Sequence, residues 1–218
     1  MRYKFLPSFA RRKGRITNAQ KKYLLHLDKF LIHSCQDIQT AAAKFEHISL
    51  EIGFGNGEDF FKFTQSQPQT LFIAAEVYDA GIGNLLGKII ESNSQNILIF
   101  NKDIRELLDD SHPIIFHEIF IICPDPWPKD RHHKRRLLQN NFFDMLNKRM
   151  TAESRLFIST DWDNYADDIS GSLNSKNHNF DSRLISSIPS RDLSKFQKRA
   201  VAEGRCLLYT SPSPRDTM

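Results

Sequence analysis

From residue 48 onward the chain alternates short apolar runs with amphipathic stretches. Residues 48–52 (ISLEI), 71–77 (LFIAAEV), 97–100 (ILIF) and 156–159 (LFIS) are brief and rich in β-branched and aromatic side chains, as buried strands are. A longer run, 114–122 (IIFHEIFII), contains a further strand. Helical spacing fills the intervals: 58–65 (EDFFKFTQ), 80–92 (AGIGNLLGKIIES), a short 104–108, then 137–150 and 162–173. The glycines of 80–92 weaken that helix. Upstream, 17–32 reads as a helix capped by Thr17 or Asn18, with Tyr23, Leu24, Leu27, Phe30 and Leu31 as its apolar stripe. Strands alternating with helices predict an α/β fold, a mostly parallel sheet with helices on both faces. In such sheets ligands bind beyond the carboxyl ends of the strands. Chemistry is therefore sought at residues 51–57, Glu76, Asp103, 124–128 and 160–161.

Composition narrows this picture little. With 218 residues, 40% hydrophobic and 26% charged, the chain suits one soluble domain with small appendages. No apolar run reaches the length of a membrane span, so no membrane partner is expected. The first residues lack the apolar core of a signal peptide, which makes the cytoplasm the expected location. Cys35, Cys123 and Cys206 are far apart and form no CxxC, which predicts neither a disulfide framework nor a metal site. Charge is more informative. The net value is only +4, but cations crowd residues 2–22, 129–136 and 191–199. Three basic clusters point to a polyanionic partner. Residues 1–20, broken by Pro7 and Gly14, read as a basic arm, and 21–209 as the main domain. The Ser/Pro-rich end, 210–218, is expected to be disordered and unable to pair in a sheet.

The strand ends carry the candidate chemistry. Gly53, Gly55 and Gly57 form a GxGxG loop that lets the backbone approach a ligand closely before the next helix begins. The spacing is not the GxGxxG of dinucleotide folds, and Glu51 ahead of it would repel a pyrophosphate while accepting from an ammonium group. Glu76 is placed to accept from ribose hydroxyls and Asp103 from an adenine amino group. Three acidic ends without a phosphate-binding lysine favour S-adenosylmethionine over NAD. The fourth strand runs into Pro124-Asp125-Pro126-Trp127-Pro128. Its prolines fix φ and push Cys123, Asp125 and Trp127 toward extended conformations. Lys129-Asp130-Arg131-His132-His133-Lys134-Arg135-Arg136 follows. By itself this segment is equally a stiff turn ahead of a solvated helix start. The paired histidines read as RNA or surface residues, since no Cys, Asp or Glu stands at ligand spacing.

Taken together, EIGFGNG, Glu76-Val77, Asp103, PDPWPK with RHHKRR, and Thr160-Asp161-Trp162 with Tyr165 resemble the bacterial tRNA (guanine-N7)-methyltransferases, from about Gly14 to about Gly204. The resemblance implies a Rossmann-like class I methyltransferase fold, S-adenosylmethionine as methyl donor and tRNA as partner, in a monomer or homodimer. It implies that Glu51, Glu76, Asp103 and Asp125 line the cofactor site and that Lys129 and Asp161 contact substrate. The family's Thr-Lys-Phe-Glu substrate string meets Ser194, Lys195, Phe196 and Gln197, where Gln197 lacks the carboxylate. On this reading Asp125 orients the guanine, Trp127 stacks on it or packs in the core, and Lys129, Arg131, Lys134, Arg135 and Arg136 hold phosphates. Competing readings are methylation of an exocyclic amino group, an RNA-binding protein of the same fold inactivated by its altered end, and, more distantly, an NAD-dependent oxidoreductase.

Overall fold

The computed structural model describes residues 4–10, 14–174, 180–189, 191–203, 208–210 and 213–214. Its backbone divides into two compact units, Arg11–Ile114 and Met1–Ala10 with Ile115–Met218.

The first unit contains α1 (Asn18–Leu24), α2 (Cys35–Ala42), β1 (His47–Ile52), α3 (Glu58–Gln65), β2 (Thr70–Ala75), α4 (Asp79–Ser92), β3 (Ile97–Phe100) and α5 (Ile104–Leu108). Its strands run parallel in the order β3-β2-β1, with Glu51 opposite Ala74 and Ala75 opposite Phe100. Leu50, Phe72, Ile73 and Ile99 are fully buried. On Phe72 lie the rings of Phe60 and Phe63 from α3, edge-on at 5.9 and 5.7 Å. Such aromatic pairs prefer this geometry and add about 0.5–1.5 kcal/mol beyond area burial.

Two differences from the sequence expectation stand out here. The helix predicted over 17–32 stops at Leu24, although Thr17 caps it as expected, with Gln20 completing a capping box. A 3-10 turn over Leu27–Lys29 follows, and Leu31 then bridges Ile99 in parallel. Pairing to the sheet edge overrode an apolar spacing that fits a helix. The second difference is α2, which the apolar pattern did not reveal. Its signal was local: Ser34 accepts from the Asp37 N–H, and the Asp37 carboxylate accepts from the Ser34 N–H, a capping box within four residues.

The second unit contains β4 (Glu118–Ile122), α6 (Asn140–Asn147), β5 (Arg155–Thr160), α7 (Asp163–Leu173), β6 (Phe180–Asp181), β7 (Leu184–Ile185), α8 (Lys195–Ala202), β8 (Leu208–Thr210) and β9 (Ser213–Pro214). Parallel pairing sets Ile121 opposite Ile158, and Phe120 stacks on Phe157 with centroids 5.1 Å apart. Phe116 is buried but lies ahead of the strand, because its N–H turns to the Arg149 carbonyl. Two antiparallel pairings then add β8 to β5 and β7 to β8. The end of the chain thus departs from expectation. Leu208–Thr210 supplies a closing strand, and Ser213–Pro214 pairs antiparallel with Phe180–Asp181. A proline lacks an N–H but keeps its carbonyl, and a two-residue pairing at an edge accommodates it. Residues 211–212 and 215–218 of the predicted disordered tail lie outside the described residues.

Candidate active site

In the first unit the chain leaves β1 through three glycines at positive φ: Gly53 at 81°, Gly55 at 64° and Gly57 at 75°. Side chains with a Cβ rarely adopt this region, so the turn needs glycine. The Glu76 carboxylate, just past β2, pins the turn. It accepts from the backbone N–H of Gly55 at 2.9 Å, Val77 at 2.7 Å and Tyr78 at 3.1 Å. Gly81 at the start of α4 lies so close to the Gly55 carbonyl oxygen that a Cβ there would overlap it. Glu51 is 2% exposed on β1. Asp103, 7% exposed, caps α5 through the Arg105 N–H. It also accepts from the Arg105 fork, Nε at 2.9 Å and Nη2 at 2.6 Å. These bonds use three of the roughly four acceptor positions of the carboxylate, leaving one for an outside donor.

This donor set fits S-adenosylmethionine on its chemistry. Residues 51–58 contain no Lys or Arg. A buried carboxylate suits an ammonium group, Glu76 suits a ribose hydroxyl, and the glycine turn presents bare backbone. A pyrophosphate would find no cation in this loop.

In the second unit the loop after β4 differs from the predicted extended form. The Cys123 N–H still reaches the Ser159 carbonyl at 2.9 Å, continuing the ladder by one residue. Cys123 then takes φ 47° and Trp127 φ 45°, the left-handed region, on either side of Asp125. Left-handed backbone costs on the order of 1–2 kcal/mol per non-glycine residue and persists only where surroundings enforce it. The enforcing bonds are visible. Arg136 Nε donates to the Pro126 carbonyl at 2.8 Å, and the Trp127 indole N–H donates to the Ser8 carbonyl at 2.9 Å. Those tertiary bonds override the local preference of residues before proline.

Around Asp125 the arm and the basic block converge. The Ala10 N–H donates to Asp125 Oδ2 at 3.4 Å, and Arg135 Nε donates to the Pro7 carbonyl at 3.1 Å. The Arg135 guanidinium lies over the Trp127 ring at 4.0 Å, and His132 meets the ring edge-on at 5.8 Å. Trp127 is therefore neither a core residue nor an open platform, since Arg135 covers one face. The basic block forms a 3-10 turn over Asp130–Arg135 rather than a helix start. Lys129, Arg131 and Lys134 are exposed on it. Partial desolvation, then the neighbouring Arg131, Arg135, Lys129 and Lys134 cations, hold the His132 imidazole below its ordinary pKa. Arg136 does not join the phosphate candidates: its residue is 3% exposed and its guanidinium is committed inside the unit.

Asp161 is half-buried at the end of β5. The string from Ser194 to Gln197 opens α8 with a capping box: Gln197 N–H to Ser194 Oγ, and Ser194 N–H to Gln197 Oε1 at 2.8 Å. Gln197 is 3% exposed, and its Nε2 donates to Ser159 Oγ at 3.2 Å. This is a buried structural bond and no surface for a substrate. Lys195 is exposed, while the Phe196 side chain lies outside what the structure describes. Sequence reasoning overlooked Asn164, Tyr165 and Asp168 as a set. The first and last stand four apart on α7, the spacing that places both on one face around Arg136. Among the described residues no group of metal-ligating side chains occurs, and no helix is long and apolar enough to cross a membrane.

A family model described as "Putative methyltransferase" matches residues 46–208. The tRNA (guanine-N(7)-)-methyltransferase of Neorickettsia sennetsu is 38% identical over 165 residues, covering 76% of this chain and 73% of that protein. That of Nitrosospira multiformis is 34% identical over 209 residues, covering 90% and 89%. Among solved structures, an antibiotic-related methyltransferase is similar with a TM-score of 0.56 at 13% identity, over 84% of this chain and 95% of the other. An rRNA methylase from Streptococcus thermophilus is similar with a TM-score of 0.54 at 12% identity, over 83% and 95%. The fold is the Rossmann-like class I methyltransferase fold that the resemblance implied, built on the parallel sheet that the alternation of strands and helices predicted. The chain belongs to the bacterial tRNA (guanine-N7)-methyltransferase family.

Proposed function

We propose that the protein transfers a methyl group from S-adenosylmethionine to N7 of a guanosine in tRNA, giving 7-methylguanosine, with Asp125 as the residue that orients the base. The observation that carries this reading is the 34% identity to a protein of that name along 90% of the chain. Guanine N7 has an in-plane lone pair and no proton, so no general base is needed. Position and field are what the enzyme supplies. The bound donor contributes an electrophilic methyl on a sulfonium. Glu51 accepts from its ammonium group, Glu76 from a ribose hydroxyl, and Asp103, with its one remaining acceptor position, from the adenine amino group. Asp125 accepts from guanine N1–H and N2–H2, and its negative charge offsets the positive charge gained by the ring. That Asp125 Oδ2 takes a backbone N–H at 3.4 Å supports its role as an acceptor for planar N–H donors. Lys129, Arg131 and Lys134 hold phosphates, and Asp161 and Lys195 are further substrate contacts.

Asp125→Ala should lower turnover with tRNA by roughly 100-fold or more, the scale seen when one transition-state hydrogen-bond partner is removed. Mass spectrometry of nucleosides from treated tRNA reads both claims. Normal 7-methylguanosine formation by the variant would remove Asp125 from its role. An N2- or N6-methylated product from the parent protein would overturn the reaction itself.

A further inference from the structure

Arg136 sits in the most basic stretch of the chain, yet its side chain is 1% exposed. Every face of its guanidinium is engaged. Nε donates to the Pro126 carbonyl at 2.8 Å and Nη2 to Asn164 Oδ1 at 2.7 Å. Nη1 pairs with the Asp168 carboxylate and reaches the Asn164 carbonyl at 3.5 Å. The plane lies over the Tyr165 ring at 4.8 Å. Tyr165 is itself fixed, fully buried with its hydroxyl accepting from the Leu138 N–H at 3.1 Å.

We infer that Arg136 is a positioning residue for methyl transfer: it clamps the Pro126 carbonyl to α7 and thereby sets Asp125 and Trp127, taking no part in binding phosphate. This rests on the reading of Asp125 given above. The Pro126 carbonyl belongs to the peptide plane that also contains the Trp127 nitrogen. Holding that plane fixes ψ of Pro126, directly after Asp125, and the approach to Trp127, whose φ of 45° is costly to maintain. Without the clamp the loop relaxes toward the extended form that prolines favour, and the Asp125 carboxylate moves with it. A lysine cannot replace the fork, because its ammonium is a point charge without the planar set of donors. The Asp168 carboxylate, 48% exposed on its outer side, supplies the counter-charge that makes burial of the cation tolerable.

The test compares Arg136→Lys and the milder Asp168→Asn with the parent, each alone and combined with Asp125→Ala, and measures tRNA methylation and tRNA binding over a range of salt. A displaced reacting group costs on the order of 100-fold. Arg136→Lys should therefore lower kcat about 10- to 100-fold while KM for tRNA changes less than about twofold, and Asp168→Asn should do the same to a smaller degree. The salt slope of binding should stay at the parent value, whereas Lys134→Ala lowers it by about one. In the Asp125→Ala background the Arg136→Lys loss should nearly vanish, since the clamp acts through that carboxylate. A slope reduced by one, or losses that simply add when Asp125→Ala is itself impaired, would overturn the inference. Emission and iodide quenching of Trp127, measured with Trp162→Phe in place, report the loop independently of turnover. If Asp125→Ala stays active but Arg136→Lys alters Trp127, the guanine reading fails and the clamp stands. An unchanged Trp127 signal in Arg136→Lys removes the clamp whatever Asp125 does.

Discussion

Gln197 shows how one atom can preserve a bond while changing its direction. Its Oε1 completes the α8 capping box, and its Nε2 donates to Ser159 Oγ in the interior. The Ser159 carbonyl also receives the Cys123 N–H at the entrance of the Asp125 loop. Gln197→Ala removes a donor from a buried hydroxyl and the capping acceptor from a helix start, a cost of about 1–3 kcal/mol. For a chain of this size that corresponds to a Tm lower by roughly 2–10 °C, which calorimetry would register. Gln197→Glu keeps the capping acceptor and lets the Ser159 hydroxyl donate, so its Tm should fall by less. Equal losses in the two variants would show that the Ser159 bond contributes nothing. Titration is a second matter at this scale. Desolvation, then the flanking Arg131, Arg135, Lys129 and Lys134 cations, hold the His132 pKa below its ordinary value. An imidazole NMR titration should place its midpoint below the ordinary 6.5 of histidine. A midpoint at or above that value would show that the flanking cations do not act on the ring.

At the scale of elements, the glycines that read as defects in α4 are its contact with α1. A Cβ on Gly83 would fall 3.0 Å from the Gln20 Cβ and 3.1 Å from the Gln20 carbonyl, and one on Gly87 would fall 2.9 Å from the Tyr23 ring. Gly83→Ala gains helix propensity but presses on backbone, so overpacking of about 1–3 kcal/mol should prevail. A raised Tm in that variant would mean that α1 shifts freely. α2 offers a pH signature. The His33 and Ser34 N–H groups, at 2.8 and 3.0 Å, hold the Asp37 carboxyl below the usual range. A depressed folded pKa gives stability above the unfolded value of about 3.9, lost as pH falls through the folded one. Denaturation of the parent and Asp37→Asn should differ at pH 6 and converge toward pH 3. These elements show what was legible. β1 through α5 follow the apolar pattern almost residue for residue, because buried parallel strands and amphipathic helices impose their periods on sequence. α2 is short and mostly exposed, so only its cap betrays it. The break at Leu24 and the left-handed turns at Cys123 and Trp127 depend on partners far along the chain. Arg136 was misread for the same reason: a run of cations looks uniform in sequence, and only folding turned one of them inward.

For the molecule as a whole, the question is which parts of its charge and of its end matter. The net +4 is modest, and Lys129, Arg131 and Lys134 are exposed together on one turn, which makes them the contacts to test under the function proposed above. Each phosphate neutralised contributes about 0.9 to the slope of log K against log salt on duplex nucleic acid. A triple Lys129→Ala, Arg131→Ala, Lys134→Ala variant should flatten that slope by between two and three, and an unchanged slope would place the tRNA elsewhere. The end of the chain is open to a parallel test. β8 lies between β5 and β7, where Ser159 opposes Tyr209, while β9 adds only a two-residue pairing to β6. Ending the chain after Thr210 removes the smaller pairing alone and should move Tm by less than about 4 °C, equivalent to about 1 kcal/mol at this length. Ending it after Glu203 also removes β8, exposing the β5 edge beside Ser159 and the loop that bears Asp125. That truncation should lower Tm by several times as much and depress methyl transfer with it. If both truncations behave alike, the pairing of Leu208–Thr210 contributes nothing to stability. If the longer chain is stable yet inactive while the full chain methylates tRNA, the Ser/Pro-rich end is itself part of the active enzyme.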